Sequence, residues 1–144
     1  MSLRKEYSLS YDSSGFNSGL VKWYNHLIDK TYETLDIEDV AKMLRQDILY
    51  EVAVEKSVDL FLEDPYDGEY EDGDLLNLLI SLELNKINKS IIQRFKAILK
   101  SLQSEYVEFE WEEELKEGYR KNIDRMILKL ELIDTEIESK KMSE

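Results

Sequence analysis

Residues 111–137 read WEEELKEGYRKNIDRMILKLELIDTEI. After Trp111 the apolar positions are Leu115, Tyr119, Ile123, Met126, Ile127, Leu130, Ile133 and Ile137, in steps of three and four. That period stacks side chains along one side of an α-helix, so the stretch predicts one long amphipathic helix running on to residue 140. Gly118 weakens it by about 1 kcal/mol relative to alanine without ending it. A helix with one apolar stripe must bury that stripe against something, and the rest of the chain offers only more helices.

Working outward, Lys89–Gln103 repeats the pattern through Ile91, Ile92, Phe95, Ile98, Leu99 and Leu102. Between these two helices Val107, Phe109 and Trp111 alternate as in a strand. A lone strand has nothing to pair with, so this piece predicts an extended connector or the start of the long helix. Leu75, Leu76, Leu78, Leu79 and Leu82 form a shorter helix, capped by Asp72 or Asp74 and closed by a break at Asn85–Asn88. Further back, Asp36 opens a helix and Asp39 adds a second carboxylate to its first turn, where the helix dipole favours it. Ile37, Val40, Ala41 and Leu44, then Ile48, Leu49, Val52, Val58, Phe61 and Leu62, predict two helices or one broken helix ending before Pro65, the only proline. Ser18 caps a first helix with Leu20, Trp23, Tyr24, Leu27, Ile28 and Leu35 at helical spacing. Trp23 and Trp111 read as core residues on helical stripes. Residues 1–17 read as irregular, with an extended piece at Tyr7–Tyr11 and a turn at Asp12-Ser13-Ser14-Gly15. The expectation is an all-α, single-domain bundle of five to six helices over 18–140, with an irregular segment at 1–17 and a disordered tail at 141–144.

The 144 residues are 42% hydrophobic and 35% charged, enough for a core beneath an unusually charged surface. There is no cysteine and one histidine, His26, which excludes disulfides, thiolate chemistry and a two-imidazole zinc site within the chain. The start, MSLRKEYSLSYDSSG, lacks the apolar core of a secretory signal, and no apolar run approaches the roughly 18 residues of a membrane span. The expected location is cytoplasmic. The net charge of −13 repels nucleic acid and anionic membranes and attracts basic partners.

That charge is concentrated. Between Lys56 and Lys86 no Lys or Arg occurs, while Asp59, Glu63, Asp64, Asp67, Glu69, Glu71, Asp72, Asp74 and Glu83 do. A second run, Glu108, Glu110, Glu112, Glu113, Glu114 and Glu117, has only Lys116 against it. The loop EDPYDGEYEDGD at 63–74 holds seven acids together with Tyr66 and Tyr70. Like charges in one run repel, so such a loop is an odd choice for solubility alone. Tyrosines ringed by carboxylates suit a contact with a basic protein. The competing reading is a solvated loop whose tyrosines pack on the core. The candidate contact residues are Tyr66, Asp67, Glu69, Tyr70, Glu71, Asp72 and Asp74.

Catalytic readings find less. An all-helical, magnesium-dependent nucleotide pyrophosphohydrolase would need two acidic pairs, which Glu110/Glu113 and Glu131/Asp134 spell. Both pairs fall largely on the long helix, eighteen residues apart and thus about 27 Å apart, too far to share a metal unless the helix breaks near Gly118. The 63–74 loop lacks the alternating ligands of an EF-hand, and no phosphate-binding glycine motif occurs. His26 reads as a packed or surface histidine. No catalytic residue, metal ligand or cofactor is expected.

Several short pieces in residues 27–82 carry a resemblance. They are Leu27 through Thr34-Leu35, Ile37-Glu38-Asp39-Val40-Ala41, Leu44-Arg45-Gln46, Leu62-Glu63-Asp64-Pro65, Gly68-Glu69 and Asp72-Gly73-Asp74-Leu75-Leu76. In that order the chain resembles helical immunity proteins of contact-dependent growth inhibition and related polymorphic toxin systems. Asp74 stands where glutamate is usual; the C-terminal half matches only as generic helix, and residues 1–17 match nothing. The resemblance implies a cytoplasmic inhibitor that binds the C-terminal domain of a cognate toxin, many such toxins being nucleases, and covers its active site or substrate-binding face. Arg45, Gln46, Pro65, Gly68 and Gly73 are expected to shape the loop, and the free chain is expected to be a monomer. A helical adaptor that self-associates through its last helix is the third reading.

Overall fold

The computed structural model describes residues 1–14 and 18–143, with side chains described as far as Glu136. The fold is all-α, and the described residues contain no strand. Among the described residues seven helices follow one another: α1 (Leu3–Glu6), α2 (Gly19–Leu27), α3 (Ile37–Arg45), α4 (Tyr50–Glu63), α5 (Asp74–Ile80), α6 (Lys89–Glu105) and α7 (Glu113–Ser143). Short 3-10 turns at Tyr32–Thr34 and Tyr106–Glu108 join them.

Local chemistry explains the boundaries. The Ser18 hydroxyl accepts from the Val21 N–H at 3.1 Å and starts α2. At α3, Asp36 and Asp39 cap each other's backbone N–H reciprocally, at 2.9 and 3.1 Å. The buried Asp39 carboxylate also accepts from Lys30 Nζ at 2.7 Å, which balances its charge. Between α3 and α4 the chain turns through left-handed conformations at Asp47 and Leu49, so 36–63 forms two helices. Leu35 lies beyond the end of α2, because the chain leaves the helix at Ile28 and turns again at Thr31, whose backbone N–H donates to the Thr34 hydroxyl at 3.0 Å.

Two apolar clusters share α4. One gathers Val54, Val58 and Phe61 of α4 with Leu75, Leu76 and Leu79 of α5, Ile92, Phe95 and Leu99 of α6, and Tyr119, Ile123, Met126 and Leu130 of α7. The other sets Val52 and Ala53 against Leu3, Leu27, Leu35, Val40 and Met43. A helix with apolar residues on two faces belongs in the middle of a bundle. The Lys129 ammonium on α7 donates to the carbonyls of Ile80 (2.6 Å) and Leu82, closing the C-terminal end of α5, and burial pushes its pKa down. Lys96 and Asp134 pair across α6 and α7.

Several expectations change in detail. The segment read as irregular contains α1, held by Leu3 N–H donating to the Lys30 carbonyl at 2.8 Å and by burial of the Leu3 side chain. The extended piece at Tyr7–Tyr11 begins instead with a turn through Ser8 in the left-handed region. Gly15, the last residue of the predicted turn, lies outside the described residues. The Trp111 ring is not on a helix; α7 starts two residues later, at Glu113. Leu20 is exposed rather than part of a buried stripe. The Ile137 side chain lies outside the described ones; α7 runs through most of the predicted 141–144 tail, of which Glu144 is outside the described residues.

Candidate functional site

The loop between α4 and α5 folds around one carboxylate. Asp74, the first residue of α5, accepts from the backbone N–H groups of Glu69 at 2.7 Å, Tyr70 at 3.0 Å and Glu71 at 3.1 Å. It therefore faces into the loop. Two backbone bonds close the same loop: Gly73 N–H donates to the Tyr66 carbonyl at 2.7 Å, and Leu75 N–H to the Asp67 carbonyl at 3.2 Å. Gly68 sits where a Cβ would overlap the Glu71 carbonyl and the Asp74 carboxylate. Gly73 adopts φ +79°, and a Cβ there would lie 2.6 Å from the Tyr119 ring.

From α3, Arg45 clasps the loop. Its two terminal nitrogens donate to the two Glu69 carboxylate oxygens at 2.9 and 3.2 Å, a forked pair that fixes direction as well as charge. The Glu69 side chain is only 13% exposed as a result. Gln46 is the exposed C-cap residue of α3. The Pro65 carbonyl accepts from the Tyr119 hydroxyl of α7 at 2.9 Å. Asp67 is half-buried, accepts from Gly68 N–H at 2.8 Å, and has its pKa raised by burial and by the charges of Asp64, Asp74 and Asp72. Tyr70, 80% exposed, points outward, and Glu71 and Asp72 are exposed beside it.

Tyr66 turns the other way. Its ring stacks on Phe109 at 4.3 Å, meets Trp111 edge-on at 5.6 Å and lies 5.7 Å from Tyr119. Trp111 also donates its indole N–H to the Tyr106 carbonyl at 2.6 Å. The alternation of Val107, Phe109 and Trp111 is thus a connector whose aromatic rings pack on the loop.

This packing brings the two acidic runs together. A shallow groove of about 160 Å³ lies between Glu71, Asp72 and Asp74 on one wall and Glu114, Leu115 and Gly118 on the other. Reading the sequence alone leaves the second run without a role. The available signal is the set of three aromatics, Tyr106, Phe109 and Trp111, in an acidic connector too short to form its own core.

The residues that spelled acidic pairs fall largely on one helix, as their spacing predicts. Glu113, Glu131 and Asp134 lie on one unbroken α7, and Asp134 is engaged by Lys96 and Gln93. Among the described residues, no three acidic or imidazole groups gather as a metal-ion set. His26 is exposed in the last turn of α2.

Arg45, Glu69, Gly73 and Asp74, which the loop geometry ties together, all fall within the stretch matched by a family model. That model, described as CDI immunity proteins, matches residues 6–98, nearly two thirds of the chain. No curated protein matches it. The matched part holds α2 to α5 and the loop clasp and ends within α6, before the aromatic connector. With more than half of its length covered by that match, the chain belongs to the family of CDI immunity proteins.

Proposed function

We propose that this protein binds and neutralises a cognate toxin domain in the cytoplasm, without catalysis of its own, by laying the surface around Tyr70, Glu71 and Asp72 against it. One observation carries the reading: the loop is braced from within before any partner arrives. Asp74 and the Arg45–Glu69 fork hold the backbone, and Tyr70, Glu71 and Asp72 are left outward. A pre-ordered loop loses little entropy on binding, so more of its contact energy appears as affinity. The outward carboxylates steer a basic surface. A nuclease suits this charge best, because its cleft must attract phosphate and an acidic inhibitor competes for the same cations.

In this division of labour Tyr66, Glu69 and Asp74 act on the partner through the shape of the loop. Co-expression of the chain with its neighbouring toxin domain restores growth, and the two co-purify as one complex. No rescue and no co-purification would reject the reading. Glu71→Lys with Asp72→Lys slows association and flattens its salt dependence; an unchanged rate would place the contact elsewhere.

A further inference from the structure

Three aromatic rings of this protein each carry one of its own cations. Lys42 Nζ lies 5.0 Å from the Trp23 ring, the Arg4 guanidinium 5.0 Å from Tyr11, and Lys56 Nζ 4.9 Å from Tyr32. The group formed by Tyr66, Phe109 and Trp111 is different. Among the described residues no Lys or Arg lies over any of these rings. Yet this group has an acidic setting: Glu105, Glu108 and Asp64 all bear on the Tyr66 hydroxyl, which burial and those charges push up. Arg120, close enough to Tyr106 to feel it, is held by Glu117 and Asp124 on its own helix. The three rings are half-buried, and Val107 beside them is 49% exposed. The protein thus presents a half-buried aromatic group bordered by carboxylates, and among the described residues no cation of its own lies over those rings, unlike the rings of Tyr11, Trp23 and Tyr32.

We infer that this surface is a seat for an arginine side chain of a basic partner protein, lying on the Phe109 and Trp111 rings with its charge toward Glu105 and Glu108. Arginine fits better than lysine because its flat guanidinium stacks on a ring while its edge donates to carboxylates. The inference rests on the toxin-binding reading and extends it: the contact includes the aromatic connector as well as the 63–74 loop. Phe109, Trp111, Glu105 and Glu108 lie beyond residues 6–98, so the seat is built mostly from the part of the chain outside the family match, with Tyr66 supporting it from within that match.

The test uses the isotopically labelled full chain and short acetylated oligo-arginine, oligo-lysine and oligo-citrulline peptides, followed by NMR. Oligo-arginine shifts the Trp111 indole and Phe109 ring signals saturably, while the Trp23 indole, already covered by Lys42, stays still. Oligo-lysine binds several-fold more weakly, and oligo-citrulline does not bind. Phe109→Ser, and separately Glu105→Gln with Glu108→Gln, each weaken oligo-arginine binding by about fivefold or more. The paired glutamine variant leaves the rings intact, so it answers even if Phe109→Ser unfolds. Shifts centred on Glu71–Asp74, or spread evenly over every acidic surface, overturn the inference. So does unchanged affinity in both variants. Growth rescue separates the two readings: if the parent chain rescues and the paired glutamine variant rescues equally, only the arginine seat fails. If the parent chain does not rescue, toxin binding fails and takes the seat with it.

Discussion

A single atom decides Gly73. Its φ of +79° disfavours any side chain, and a Cβ would lie 2.6 Å from Tyr119 and 3.0 Å from Trp111. Gly73→Ala therefore both strains the backbone and pushes apart the rings that join the loop to α7. Thermal unfolding should report a loss of about 1–3 kcal/mol. Asp74 matters through what it accepts. In Asp74→Ala the N–H groups of Glu69, Tyr70 and Glu71 lose their common acceptor, and hydrogen exchange at those three amides should accelerate well beyond that of the α6 core. Asp67 makes a pH prediction. Its folded pKa is raised above the ordinary 3.8, so its charge opposes folding at neutral pH, and that opposition is relieved as pH falls through the folded value. Asp67→Asn keeps an oxygen for the Gly68 N–H; it should raise Tm at pH 7 and lose that advantage below the ordinary 3.8. Asp134 has the opposite sign: bonding to the Lys96 ammonium lowers its pKa, so its contribution is full above 3.8 and fades in stronger acid.

At the scale of elements, α5 is short and leans on α7 for its ending. Its last turn and the residues after it depend on Lys129, whose ammonium donates to the Ile80 and Leu82 carbonyls. Lys129→Met keeps the apolar stem but removes the donor. The expected cost is about 1.5–3 kcal/mol, read from chemical denaturation. The helices were legible because apolar spacing is a local property: Tyr119, Ile123, Met126 and Leu130 mark α7 wherever it packs. The link between α6 and α7 was less legible. Val107, Phe109 and Trp111 alternate as a strand would, yet Val107 is exposed, while Phe109 and Trp111 pack on Tyr66, more than forty residues earlier, and Trp111 also on Tyr119 of α7. The N-terminal helix is hard to read for a similar reason: Leu3 is buried against the α2–α3 junction, a contact that its neighbours in sequence do not signal.

For the whole molecule, a net charge of −13 on 144 residues means that the folded state confines mutually repelling groups. Raising ionic strength from about 0.01 M to about 0.15 M shortens the screening length from roughly 30 Å to roughly 8 Å. Tm should rise over that range while the association rate with a basic partner falls; a flat Tm would mean that local pairs such as Arg45–Glu69 and Lys30–Asp39 already offset the repulsion. The fold adds to that repulsion by setting Glu114 opposite Glu71 and Asp72 across one groove. Two acidic runs brought together by aromatic packing repel one another more than either does alone.

The sequence by itself determined the main helices, the position of the 63–74 loop, the excess of acid and the family match over residues 6–98. Those properties are local or additive, so spacing and composition carry them. Only the tertiary structure decided the direction of each loop side chain. Tyr66 and Tyr70 stand four residues apart in the same acidic loop, yet one joins Phe109 and Trp111 while the other faces out. Glu69 and Glu71 differ in the same way: Arg45 arrives from α3 at Glu69, while Glu71 is exposed. Direction depends on neighbours distant in the chain, which no local pattern encodes.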